Sequence, residues 1–209
     1  MTRKEFIKVL DGEGYSYKIE GDKIVVTHNG YVDLRSLTSL PPGVEFNNEG
    51  AVNLYSTTSL PPGVVFNNEG DVDLDSITSL PPGVVFKNEG RVDLNALTSI
   101  SPGVEFKNED YVDLKSLTSL PPGVEFRNVG HVDLQSLTSI SSGVEFRNGG
   151  HVDLSALTSL PPGVEFKNGR DVYLGYLIGR WFKEWKGNIE GIASKRLLNV
   201  MIKQGIFER

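Results

Sequence analysis

Every 20 residues the chain returns to the pattern x-Val-Asp-Leu, in units that open at Tyr31, Ala51, Asp71, Arg91, Tyr111, His131 and His151. Asn53 replaces the aspartate once, and an eighth unit opens at Asp171 as DVYL before the pattern dissolves. A fixed period of this length is what stacked coils require, because each unit buries its apolar face only against its neighbours. The 209 residues therefore predict one elongated repeat body, not a globule around a central core.

Within a unit the apolar residues alternate twice. Val32 and Leu34 flank Asp33, and Val44 and Phe46 flank Glu45. Period-2 alternation of branched and aromatic residues predicts two short, half-buried strands per coil. Leu37, Leu40 and their equivalents complete the inward set on a third side. The corners are equally repetitive. Glycine recurs at 43, 63, 83, 103, 123, 143 and 163, which predicts a backbone angle that a Cβ would forbid. Pro-Pro precedes it in five units, favouring extended or turn backbone and excluding a long helix. Asn48 and its equivalents at 68, 88, 108, 128, 148 and 168 never vary. They are expected to turn inward and hydrogen-bond the turn amides coil after coil. The fold expected is mainly β: a right-handed parallel β-solenoid of leucine-rich-repeat-like coils over residues 31–174, between a cap at 1–30 and a helical cap at 175–209.

The ends of such a stack expose open backbone and need covering. Thr2-Arg3-Lys4-Glu5 matches a capping box, so a helix is expected from about residue 3 to 10. YSYKIEGDKIVVTHNG then reads as a hairpin turning at Gly21-Asp22. Its second half aligns with a repeat, Ile24 on Val44 and Val26 on Phe46. At the other end, Ile192, Leu197, Leu198, Met201 and Ile202 recur at helical spacing. That segment holds both tryptophans, and Arg180, Trp181, Trp185, Lys186, Lys195 and Arg196 make it a basic, aromatic second surface.

The repeat sentence LPPGVEF...VDLRSLTSLPPG resembles the short, 20-residue leucine-rich repeats of bacterial and phage proteins. Among these is a phage family with a recurring LPxGL...LDL...SLP sentence. The resemblance spans roughly residues 31–175 and departs from ordinary leucine-rich repeats in lacking a helix-length convex segment. It implies a binding scaffold, carries no catalytic residues over, and suggests a phage or prophage accessory role such as blocking a host factor.

Charge narrows the partners. Residues 31–170 carry 9 Lys and Arg against 18 Asp and Glu, a net of −9; residues 171–209 carry 7 against 4, a net of +3. An acidic body disfavours duplex DNA along most of its length. Without cysteine there are no disulfides or thiolate metal sites, which suits a reducing cytoplasm. The N-terminus has no apolar core of a signal peptide and no stretch is long enough to span a membrane, so a cytoplasmic chain is expected.

Catalysis needs unlike groups brought together, whereas a repeat lays like groups in rows. No P-loop, GxGxxG, GxSxG or HExxH occurs. His131 and His151 fall in one column, about 4.8 Å apart. Their side chains run parallel, while a tetrahedral metal site needs convergence. The aspartate column (Asp33, Asp73, Asp93, Asp113, Asp133, Asp153) is expected to face outward and to repel itself by roughly 1 kcal/mol per neighbour even in bulk water. No GGxGxD calcium repeat accompanies it. Neither metal nor cofactor is expected. The Thr-Ser ladders read as corner hydrogen bonding, since adjacent residues cannot both face one flat array.

What the sentence leaves free is more informative. The first outward column reads Tyr31, Ala51, Asp71, Arg91, Tyr111, His131, His151; the fifth reads Arg35, Tyr55, Asp75, Asn95, Lys115, Gln135, Ser155. Tyrosine, arginine and histidine are recognition types, so Tyr31, Arg35, Tyr55, Arg91, Tyr111, Lys115, His131 and His151, with the Asp column, form the expected partner-binding strip. On the other strand Glu105/Lys107, Glu125/Arg127 and Glu145/Arg147 read as a solvated, charge-paired face. The function expected is a non-enzymatic scaffold for a protein partner, with the caps as candidate surfaces for pairing two chains. Two alternatives stand beside it: an acidic nucleic-acid-mimic decoy, and a small-nucleotide sponge using the basic C-terminal cap or a subunit interface.

Overall fold

The structure, a computed structural model, describes residues 1–175. The expected C-terminal helical cap lies outside them, as do Arg180, Trp181, Trp185, Lys186, Lys195 and Arg196.

The chain is mainly β, a solenoid whose parallel strands stack 20 residues apart. Helix α1 (Arg3–Glu13) leads into the hairpin β1 (Tyr17–Glu20) and β2 (Lys23–Val26), and the first coil contributes β3 (Val32–Asp33) and β4 (Val44–Phe46). The hairpin, β4 and its equivalents form a nine-stranded sheet, called sheet A here. It continues through Val65–Phe66 and Val85–Phe86 to Glu165–Phe166. β3 and its equivalents, ending at Val172–Tyr173, form the eight-stranded sheet B. Register is exact repeat on repeat: Val92 pairs with Val72 and Val112, Phe106 with Phe86 and Phe126.

Two strands per coil were expected, and the structure adds a third. Ser79–Leu80 pairs with Ser99–Ile100, Ser119–Leu120 with Ser139–Ile140, and Ser39 bridges Ser59. The proline-limited T-S-L-P segment is already extended, so stacking places equivalent segments within ladder distance. Two residues are too few to show alternation in the sequence.

The core runs lengthwise. Val, Leu and Phe from sheets A and B and the Leu or Ile residues of the third side are buried in every coil. Seven phenylalanines from Phe46 to Phe166 stack nearly parallel, ring centroids 5.1–5.3 Å apart. Burying one such side chain contributes about 1.5–3 kcal/mol, and the column gives each coil the same face to present to the next. One inward position breaks the rule: Thr57 stands fully buried where other coils hold Leu or Ile, its hydroxyl donating to Leu37 O at 2.9 Å.

At the corner Gly123 has φ +79°, matched by the other six glycines of that column. L-residues with a Cβ rarely adopt this angle. A second glycine stands two residues after the asparagine in five coils, with Asp110 and Arg170 in the other two. At Gly50 an added Cβ would lie 2.4 Å from the carbonyl carbon of Gly30, so close approach of coils excludes a side chain there.

The asparagines point inward as expected, but their partners are carbonyl oxygens, not N–H groups. Asn68 Nδ2 donates to Gly50 O in the preceding coil at 3.0 Å and to Gly70 O in its own at 2.8 Å. Each buried amide thus ties two coils together at the corner.

The N-terminal cap follows the sequence reading closely. Thr2 and Glu5 form the capping box, and Gly14, with φ 72°, ends α1 three residues beyond the expected stop. Phe6 and Leu10 are fully buried against the core end. β2 continues sheet A in the expected register, Ile24 on Val44 and Val26 on Phe46. Sheet B has no such extension. Instead the Tyr15 hydroxyl accepts the Asp33 N–H at 2.9 Å and faces Asp33 O at 3.3 Å, occupying the place of a missing strand. No helix among the described residues is long and apolar enough to cross a membrane.

Candidate functional site

The outer face of sheet B carries the expected strip. Val and Leu at positions two and four of each x-Val-Asp-Leu-x strand point into the core. Positions one, three and five therefore fall on the outside.

Position three is not a free carboxylate row. Asp33 Oδ1 accepts the Arg35 N–H at 3.2 Å, and Asp73, Asp113, Asp133 and Asp153 accept the N–H two residues on in the same way, at 2.9–3.2 Å. Asn53 does so too, to Tyr55 at 3.0 Å, which explains why Asn is the tolerated exchange. These are Asx turns. They bend the chain out of sheet B, and the carboxylates sit half-buried, with Asp113 buried. Ion pairing relieves the expected repulsion in three coils: Arg35–Asp33 at 2.9 Å, Arg91–Asp93 at 2.8 Å and Lys115–Asp113 at 3.6 Å.

Coil four departs from the rule. Asp93 is 7% exposed, and its Oδ1 is buried with no donor. Asp75, which receives the Asn95 amide at 2.6 Å, stands beside it. Burial first, then Asp75, pushes the Asp93 carboxyl up to about 6, against the pull of Arg91. Asp73 is raised likewise, chiefly by burial. The sequence signal for this acidic knot is DVDLD at 71–75, three aspartates in one coil, while Asp75 and Asn95 stand at the variable fifth position, outside the expected strip.

Position one has acquired structural work in some coils. Asp71 Oδ1 accepts the Arg91 N–H at 2.7 Å. His131 Nδ1 accepts the His151 N–H at 2.7 Å, and His151 Nδ1 accepts the Asp171 N–H at 3.1 Å. Both imidazoles therefore carry any single proton on Nε2, and their Nδ1 atoms are occupied. Tyr111 leans across two coils, its hydroxyl donating to Asp133 Oδ2 at 2.9 Å, and burial with this bond pushes its ionisation upward.

Tyr31, Arg35 and Tyr55 remain exposed. Tyr31 is 46% and Tyr55 52% exposed. Arg35 reaches between strand and solvent with Nη2 3.3 Å from the Tyr31 hydroxyl. Arg91 and His131 are also exposed, and Lys115 and His151 half-exposed. The expected strip thus divides. Its N-terminal end is aromatic and cationic; its middle is acidic and partly folded into the coil.

The opposite face is charge-paired as read from sequence: Arg127–Glu125 at 2.9 Å, Arg147–Glu145 at 2.6 Å, and Lys107 with Glu105. Among the described residues, no three His, Cys, Asp or Glu side chains group to hold a metal ion. The chain matches no protein-family model, no curated protein and no solved structure.

Proposed function

We propose that the solenoid is a non-catalytic scaffold that binds a protein partner through the outer face of sheet B, centred on Tyr31, Arg35 and Tyr55. The observation that carries this reading is the placement of these three side chains. Tyr31 and Tyr55 are the exposed tyrosines among the described residues, and they stand in adjacent coils, with Arg35 in the coil of the first and the column of the second. Tyrosine and arginine dominate binding hot spots because they bury large area and still offer polar groups. Arg91, Tyr111 and Lys115 extend the surface along the stack.

Farther along the strip Tyr111 is half-buried and bonded to Asp133, so the exposed tyrosines concentrate at this end. The sequence resemblance to phage leucine-rich repeats supports an accessory role in the cytoplasm of an infected cell, in which the partner is a host factor. The decoy reading has less support, since most of the regular carboxylate row is tied into Asx turns and is not freely presented. A melting shift on adding nucleotide, with none on adding lysate protein, would favour the nucleotide sponge.

The direct test is affinity capture from host lysate with wild type and with the Tyr31→Ala, Arg35→Ala, Tyr55→Ala triple variant. The expected result is a protein retained by the wild type and lost from the variant, at unchanged melting temperature. The same proteins on both would overturn the assignment of the surface.

A further inference from the structure

Sheet A ends on its N-terminal side in β1, and no other described strand pairs with the outer edge of β1. In the hairpin Glu20 pairs with Lys23 across the two-residue turn, and the Thr27 N–H donates to Ser16 O at 2.8 Å. Antiparallel pairs alternate between bonded and non-bonded. Ser16, Lys18 and Glu20 therefore direct their backbone groups to β2, while Tyr17 and Ile19 direct theirs outward. This edge has neither proline nor bulge, and Ile19, at its middle, is 50% exposed. Such an edge is a template for another strand.

We propose that the strand it takes is β1 of a second copy, continuing sheet A antiparallel across a two-fold axis. An antiparallel partner must set outward residues against outward residues, which leaves three registers for self-pairing. Tyr17 opposite Tyr17 sets Lys18 against the uncharged Ser16 and forms no charge pair. Tyr17 opposite Ile19 sets Lys18 against Lys18 on the axis. Ile19 opposite Ile19 sets Lys18 against Glu20 twice, as non-bonded pairs whose side chains approach most closely. Like charges directly opposite are destabilising and unlike charges stabilising, so the third register is selected. The alternation Lys18-Ile19-Glu20 is complementary to its own reverse. That is what an isologous interface requires of a surface patch. The contact is small, so the dimer is weak and concentration-dependent.

Sedimentation equilibrium up to roughly 1 mM protein gives the test, with circular dichroism to verify folding. Wild type is expected to dimerise, and Lys18→Glu alone or Glu20→Lys alone to weaken association about tenfold by placing like charges opposite. The double swap Lys18→Glu, Glu20→Lys restores the opposition and is expected to recover wild-type association. Ile19→Pro removes only an outward N–H, which an edge strand tolerates, and is expected to abolish the dimer in a folded chain. A wild type that stays monomeric overturns the proposal, including one whose Tyr17 and Ile19 amides resist hydrogen exchange because the chain's own residues cover them. So does a dimer indifferent to Lys18→Glu or to Ile19→Pro, or a double swap that fails to recover.

Discussion

His131 Nδ1 accepts the backbone N–H of His151 at 2.7 Å while the two imidazole rings stack 4.8 Å apart. Burial, then His151 and Arg170, lowers the His131 pKa below its ordinary 6.5, with only Asp110 opposing. The folded state therefore prefers the neutral ring. Its contribution is complete above about pH 6.5 and declines as pH falls toward the depressed value, because in that window the unfolded chain binds the extra proton. His131→Asn keeps a side-chain acceptor, as Asp71 does, and removes the titration. Urea midpoints between pH 7.5 and 5 should fall less for this variant than for wild type; identical slopes would contradict the assignment.

Asp93 works with the opposite sign. Its carboxyl, pushed up to about 6, binds a proton in the folded state before the unfolded chain does. Stability from this group therefore rises as pH falls from about 6 toward the ordinary 3.8, and the charged form burdens the fold at neutral pH. Asp93→Asn should raise Tm at pH 7.5 by about 2–4 °C, on the order of 1 kcal/mol. The advantage should shrink near pH 4. A variant less stable than wild type at pH 7.5 would show that the Arg91 pair outweighs burial.

The asparagine ladder rests on donation, which gives a ranking. Asn88 Nδ2 reaches Gly70 O at 3.2 Å and Gly90 O at 2.8 Å from a fully buried position. Asn88→Ala leaves both carbonyls without that donor and should cost about 1–3 kcal/mol. Asn88→Asp places a buried charge against two carbonyl oxygens and should cost about 3–5 kcal/mol. Denaturant titration checks the order; an aspartate no worse than alanine would mean that the side chain accepts, not donates.

Thr57 offers a change expected to stabilise. Leu or Ile fills its position in the other coils, and its hydroxyl bond to Leu37 O has no counterpart there. Thr57→Leu adds buried methyl groups at the cost of one hydrogen bond, with an expected net gain of about 1 kcal/mol. A lower melting temperature would show that the second coil has packed around the smaller residue.

Much of the fold was legible because a repeat states each local preference seven times over. Val32, Leu34, Val44 and Phe46 announce their burial by alternation, Gly43 its angle, and Thr2 with Glu5 their capping box. The third strand at Ser79–Leu80 was not legible, since two residues show no period. Nor was the role of the Asp column: its neighbours Val and Leu place it outward, yet only the bend after Leu brings the i+2 N–H onto Oδ1.

Sequence alone determined the coil: its length, its inward residues, its corners and the cap at its N-terminal end, all set by short-range periodicity and backbone sterics. Tertiary structure decided which outward residues are free. Stacking brings residue i beside residue i+20, so Tyr111 finds Asp133, His131 finds the His151 N–H and Asp93 meets Asp75, while Tyr31, Arg35 and Tyr55 stay exposed. Those contacts depend on side-chain reach between coils, which repeats in one dimension do not encode.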